Sequence, residues 1–196
     1  MIRTAIALLF CVMAMPPAAL IGFPWTFITG RVDFLYAMAM KIATTSLWIV
    51  GIKVEIRGQD SVGAAGTYIF MCNHVSNLDP PSLIPKLPGR SSVLVKKELF
   101  RIPLLGRAMR LGNLVPVDRS NREAAIRSVQ EGIKVLKSGV HMTIFPEGTR
   151  SRDGRVLPLK KGPFYLAMES GVPIIPVTIS GTEKLMPKGA AVIHAG

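Results

Sequence analysis

From Thr4 to Gly30 the chain carries no Asp, Glu, Lys, Arg or His. That run constrains the fold more than any other feature, because so long an apolar stretch must leave water for a protein core or a bilayer. A second apolar stretch, Phe34 to Val50, is broken only by Lys41. A helix that spans a bilayer needs about 20 apolar residues, and the first run has that length. Pro16, Pro17 and Pro24 interrupt it, and an interior proline removes a helical hydrogen bond and crowds the preceding turn. Arg3 before the apolar run also fits the start of a signal peptide, although the cleavage site is poor. Trp25 and Trp48 suit the interfacial belt of a membrane. The preferred reading of residues 1–50 is a helical hairpin that dips into one leaflet or lies in the interface. It stands ahead of a true span and of a signal peptide. Two buried core helices give the same pattern.

Residues 51–196 read as one α/β domain. With 49% apolar and 18% charged residues, the chain is not expected to be disordered. Ile52 to Arg57 alternates apolar and charged side chains, the pattern of a half-buried strand. Short apolar runs at 67–72, 93–95, 114–117, 140–145 and 174–179 predict further strands, and Ala191 to His194 is expected to begin a last one. Helices are predicted over 98–110, 121–137 and 163–169. In the second of these, Ile126, Val129, Ile133 and Leu136 mark one helical face. Strands alternating with helices predict a mixed, largely parallel sheet flanked by helices, preceded by the apolar hairpin.

Several chemistries are absent. Two cysteines, Cys11 and Cys72, and three histidines are too few for a disulfide framework and a poor basis for a zinc site. Cys72 and His74 lie two apart, without further ligands at metal spacing. The sequence has no G-x-G, Walker A, G-x-S-x-G or H-E-x-x-H pattern. Its charge is distinctive: 24 Lys and Arg against 12 Asp and Glu give a net +12. Between Lys86 and Lys161 there are 17 basic and 6 acidic residues. An anionic partner follows from this excess. Nucleic acid is not the expected one, since few aromatics interleave with the basic residues.

Two constellations carry chemistry. Asn73-His74-Val75-Ser76-Asn77-Leu78-Asp79-Pro80 follows the predicted strand 67–72. On a regular helix His74 and Asp79 stand about 140° apart, but a turn leading into a helix brings them together. Asp79 then holds one imidazole nitrogen and leaves the other free as a base. The alternative is a surface loop in which Asn77 and Asp79 cap the next helix. Phe145-Pro146-Glu147-Gly148-Thr149-Arg150-Ser151-Arg152 follows the strand 140–144. Gly148 permits close backbone approach, Thr149 supplies a hydroxyl, and Arg150 offers the planar fork that suits phosphate. Glu147 holds a substrate hydroxyl or locks Arg150. The alternative is a polar turn with a local Glu–Arg pair. Asp118-Arg119 and Lys96-Lys97-Glu98 end two more predicted strands. All four groups fall at the carboxyl ends of strands, where open α/β sheets place their sites. A base, an orienting acid and phosphate ligands suggest transfer to or from a hydroxyl of a phosphorylated substrate.

In order and spacing these blocks resemble the glycerolipid acyltransferase family, in particular its bacterial 1-acylglycerol-3-phosphate acyltransferases. N-H-x4-D is matched by Asn73, His74 and Asp79. K-x-E-L is matched by Lys96, Glu98 and Leu99, and the glycine-to-arginine block by Gly112 and Arg119. F-P-E-G-T-R-S is matched from Phe145 to Ser151, and V-P-I-I-P-V from Val172 to Val177. The resemblance covers roughly Val50 to Gly181. It implies that His74 removes the proton from the free hydroxyl of lysophosphatidic acid, which attacks the thioester of acyl-CoA or acyl carrier protein, while Asp79 orients His74. It implies that Lys96, Arg119 and Arg150 hold the acceptor phosphate, with Glu147, Gly148 and Thr149 completing that site. No metal, cofactor or acyl-enzyme is implied, and a Ser76 nucleophile is disfavoured. The implied location is a membrane, with the site on the cytoplasmic face of a bacterial inner membrane. Other acceptors, such as glycerol-3-phosphate or another lysophospholipid, stay open, as does a non-catalytic binder of anionic lipid. The chain stops at Gly196, soon after the last block, where family members continue through further strand and helix; this implies a short member or a fragment.

Overall fold

Helix α1, Ile2–Thr29, runs unbroken through Pro16, Pro17 and Pro24 in the computed structural model of the chain, which describes residues 1–63, 66–118 and 122–194. The prolines were expected to interrupt this run, and they do not end the helix. Flanking them is the packed face of α1, where Ala18, Ala19, Gly22 and Thr26 are buried. Gly30, with φ 67°, ends α1 by donating its N–H to the Thr26 carbonyl, a left-handed cap that glycine adopts without strain. Helix α2, Asp33–Ile49, returns antiparallel to α1. Cys11 Sγ lies 3.0 Å from Ser46 Oγ, and Trp25 stacks obliquely on Phe34 at 5.6 Å. A Cβ on Gly22 would stand 2.6 Å from Leu35 Cδ1. Small residues thus let the two helices approach closely, and the hairpin expected for residues 1–50 is present.

The hairpin is seated on the α/β body. Asp33 pairs with Arg90 at 3.3 Å, and Tyr36 Oη accepts the Ser91 N–H at 3.1 Å. The Arg107 guanidinium lies 5.6 Å from the Phe23 ring centre. At the other end, Ala7, Leu47, Val50, Ile52 and Leu78 form one buried cluster.

Five strands make a parallel sheet in the order β3-β2-β4-β1-β5. They are β1 Ile69–Cys72, β2 Ser91–Lys96, β3 Val115–Val117, β4 His141–Ile144 and β5 Ile174–Val177. The connecting helices are α3 Asp79–Leu83, α4 Leu105–Leu111, α5 Arg122–Lys137 and α6 Gly162–Ser170, and α7 Thr182–Leu185 follows β5. Interior strand β1, between β4 and β5, is buried throughout. Its Ile69 and Met71 pack with Ile133, Leu136 and Leu166 of α5 and α6, while Phe70 and Cys72 pack with Leu83 of α3. This two-sided burial explains its unbroken apolar run. The register sets Met71 beside Ile144 and Cys72 beside Val177, so the residues after β1, β4 and β5 emerge at one edge.

Three predicted elements differ. Ile52–Arg57 alternates in burial as expected but pairs with no strand among the described residues. An extended segment laid on the body buries one side without a ladder, so period-two patterning reports burial and not pairing. The helix expected over 98–110 is split into a 3₁₀ turn, Lys97–Arg101, and α4. Pro103 forces the split: Ile102 before it takes ψ 123°, outside the helical region. Ala191–His194 forms no strand; Ile193 instead exchanges hydrogen bonds with the Thr4 hydroxyl of α1, at 3.1 and 3.2 Å. Within α5, Ile133 and Leu136 are buried as expected, whereas Ile126 is 54% exposed.

Candidate active site

The turn after β1 folds back so that His74 Nδ1 stands 2.8 Å from Asp79 Oδ2. Asp79 opens helix α3 and is fully buried. Its Oδ2 also accepts the backbone N–H groups of Val75 and Ser76, at 2.8 and 2.9 Å. Oδ1 accepts the Thr182 hydroxyl at 2.5 Å. Burial pushes the Asp79 carboxyl up, but the bonds from His74, Thr182, Ser76 and Val75 outweigh it and hold the group below the usual carboxylate range. An ionised Asp79 accepts only, so His74 Nδ1 carries the proton of their bond and Nε2 is the basic nitrogen. No described residue bonds Nε2.

The segment after β4 braces His74 from three sides. Glu147 Oε1 accepts the His74 N–H at 2.7 Å, and Ser151 N–H donates to the His74 carbonyl at 2.8 Å. The Phe145 ring stacks on the imidazole at 4.2 Å and 27°. The second oxygen of Glu147 accepts the Leu157 N–H at 2.9 Å, and Glu147 is buried. Both of its oxygens accept from backbone, which makes Glu147 a brace under His74, and the expected lock on Arg150 is not formed. Gly148 takes φ 72° to close the turn, and its N–H returns to the Phe145 carbonyl at 3.0 Å.

Arg150 presents a buried Nη1 with no hydrogen-bond partner among the described residues. A buried guanidinium nitrogen left open can receive an anion or a water. Beside it, Lys188 Nζ donates to the Arg150 carbonyl at 2.7 Å and to Thr149 Oγ1 at 3.2 Å. Lys96, at the end of β2, is exposed and pairs loosely with Glu98 at 3.7 Å. Its neighbour Lys97 bonds Asp118 after β3. The expected phosphate ligand Arg119 lies outside the described residues. Ser76 is no nucleophile here: its buried Oγ donates to the Met186 carbonyl and accepts the Leu78 N–H. Cys72 is inert as well, since burial, aided by the charge of Asp79, pushes its thiol up to about 12. No cluster of three or more His, Cys, Asp or Glu side chains fit for a metal occurs among the described residues.

Two partners of the site, Thr182 and Lys188, had no sequence signal, and the contacts of a third, Asn73, were not legible from its motif. Asn73 was matched as a block residue, but its amide brackets Ile179 by donating to the carbonyl at 2.9 Å and accepting the N–H at 2.7 Å. Thr182 and Lys188 come from beyond the last matched block, far along the chain from the side chains they meet.

With a His–Asp pair and the basic side chains of Arg150 and Lys188 beyond its strand ends, the parallel sheet makes this an α/β protein with a candidate site at the carboxyl edge. The acyltransferase family profile matches residues 53–180, and the chain belongs to that family. It is 38% identical over 167 residues to a 1-acyl-sn-glycerol-3-phosphate acyltransferase of Limnanthes douglasii, covering 85% of this chain and 58% of the relative. The human 1-acyl-sn-glycerol-3-phosphate acyltransferase alpha is 33% identical over 182 residues, covering 84% and 64%. The crystal structure of the 1-acyl-sn-glycerophosphate (LPA) acyltransferase from Thermotoga maritima superposes with a TM-score of 0.79 at 28% identity, covering all of this chain and 81% of that one. The chain thus spans less than two thirds of the length of these two sequence relatives.

Proposed function

We propose that the chain transfers a fatty acyl group from a thioester, acyl-CoA or acyl carrier protein, to the free hydroxyl of 1-acylglycerol-3-phosphate, giving phosphatidic acid. The observation that carries this reading is the His74–Asp79 pair at 2.8 Å, with the open nitrogen of Arg150 in the same motif that braces it. His74 Nε2 takes the hydroxyl proton as the oxygen attacks the thioester carbonyl. The tetrahedral intermediate collapses by breaking the C–S bond, and the imidazolium returns its proton to the leaving thiolate. Asp79 stabilises the imidazolium formed between these steps. Arg150, Lys96 and Arg119 hold the acceptor phosphate, Thr149 and Gly148 complete that cradle, and Lys188 adds charge beside it. The route uses no metal and no cofactor. A positioned base contributes about 10²–10⁴-fold, and alignment of two substrates contributes more, up to about 7–11 kcal/mol. Loss of the phosphate cradle therefore lowers turnover as well as binding.

Membrane anchoring by the hairpin supplies a lipid acceptor, and we place the protein on the cytoplasmic face of a bacterial inner membrane. By length and composition α1 is long enough to cross a bilayer. Protease accessibility of residues 51–196 in sealed inverted vesicles tests the orientation, and full protection there rejects it.

The functional test is thiol release from acyl-CoA by detergent-purified protein, with and without lysophosphatidic acid, beside His74→Ala. Acceptor-dependent release that vanishes in the variant is the expected result. Release without acceptor identifies a thioesterase. No release with any donor or lysolipid leaves an anionic-lipid binder as the better account.

A further inference from the structure

We propose that Thr182 is a positioning residue of the His74–Asp79 pair, its hydroxyl fixing the Asp79 carboxylate so that Oδ2 stays on the imidazole. The inference rests on the acyl-transfer reading and adds a residue that lies beyond all the matched sequence blocks. The two carboxylate oxygens are unequally supported. Oδ2 accepts from His74, Val75 and Ser76, whereas Oδ1 has one described partner, the Thr182 hydroxyl at 2.5 Å. Asp79 is fully buried, so no water replaces that donor. Without it Oδ1 is a buried anionic acceptor left open, and the carboxylate gains by turning toward other donors and away from His74.

The chain delivers Thr182 with care. Gly181, at φ 93°, turns the backbone into α7, and Thr182 begins that helix. The segment is strapped to the His74 turn on both sides of Thr182, by Asn73 to Ile179 and by Ser76 Oγ to the Met186 carbonyl at 2.7 Å. Three contacts from one turn thus meet one short segment, and only the middle one reaches a side chain of the reacting pair. The outer two locate the segment; the Thr182 hydroxyl reads out that location at Asp79.

Thr182→Val keeps the branched shape and removes the donor, and Thr182→Ser keeps the donor. For Thr182→Val, kcat is expected to fall about tenfold to a hundredfold, the range for a buried acceptor left unsatisfied. KM for donor and acceptor is expected to move far less than kcat, because the Thr182 hydroxyl is spent on Asp79. Thr182→Ser restores most of the rate. The low-field proton resonance of His74 Nδ1, assigned by its loss in His74→Ala, moves upfield in Thr182→Val and returns in Thr182→Ser. Should Thr182→Val not fold, the Ser and Ala variants at this position carry the same comparison. A wild-type kcat and resonance in Thr182→Val overturn the inference. So do equal losses in Ser and Val, or in Ser and Ala, which assign Thr182 to packing. Failure of the acyl-transfer reading looks different: the wild type itself then transfers no acyl group, while the resonance still shows whether Thr182 holds the pair.

Discussion

His74 and Asp79 meet in one hydrogen bond, and their environments differ. The imidazole keeps an open nitrogen at the sheet edge, while the carboxylate is sealed beneath it. His74→Ala is expected to abolish acyl transfer while the protein still folds, with a modest fall in melting temperature from the lost Asp79 bond and Phe145 stacking; substantial residual activity would sink the base assignment. Asp79 has a second signature, in stability. Burial raises its carboxyl, and the bonds from His74, Thr182, Ser76 and Val75 bring it below the usual range. A carboxylate held low in the folded state adds stability above its unfolded value, near 3.9, and loses it as pH falls through the lower folded value. Asp79→Asn is therefore less stable than wild type at neutral pH, and the gap between their melting temperatures closes as pH drops below about 4. Thermal melts from neutral pH to about 3 check this, and a gap constant across that range removes Asp79 from the account of acid stability.

At the scale of elements, the site is a junction between the ends of β1, β4 and β5. Glu147 is its keystone, holding the His74 N–H after β1 and the Leu157 N–H beyond the motif. Glu147→Gln keeps one acceptor and turns an amide N–H toward a backbone donor, which costs about 1–3 kcal/mol. The melting temperature and kcat are expected to fall together; a stable variant with normal kcat contradicts the bracing role. A second junction lies below Lys96. A Cβ on Gly106 would stand 2.2 Å from the Phe100 carbonyl oxygen. Gly106→Ala must therefore shift backbone in the turn after β2, at a cost of about 1–3 kcal/mol. The melting temperature of Gly106→Ala is expected to fall accordingly, and one equal to wild type contradicts the close approach. These junctions also show what a sequence displays. His74 and Asp79 lie five apart and Glu147 to Arg150 are contiguous, so a local pattern announces them. Thr182 meets Asp79 across 103 positions and Lys188 meets Arg150 across 38, and nothing in a lone Thr or Lys marks so distant a partner. The role of Glu147 was hidden for another reason: residue type announces a carboxylate, but only the fold says that backbone takes both oxygens.

The whole molecule couples an α/β body to an apolar hairpin, and the two share core. Leu78, one residue before Asp79, is buried with Ala7 of α1 and Leu47 and Val50 around the end of α2. The outer face of α1 remains uncovered: Ile6, Met13, Leu20 and Phe27, spaced by sevens, are 50%, 67%, 77% and 91% exposed. Water does not favour such a stripe on a helix of 28 residues, and the interface of an anionic bilayer accommodates both it and the basic body. Charging that face separates anchoring from chemistry. Met13→Glu with Leu20→Glu removes two apolar insertions worth about 1.5–3 kcal/mol each. Partitioning to anionic vesicles in a flotation assay is expected to weaken by about a hundredfold or more. Turnover of lysophosphatidic acid embedded in those vesicles falls with it, while turnover of the same acceptor in detergent micelles does not, because neither position touches the site. Flotation equal to wild type would show that this stripe is not the membrane face, and loss of the micellar rate would show that the stripe supports the fold instead.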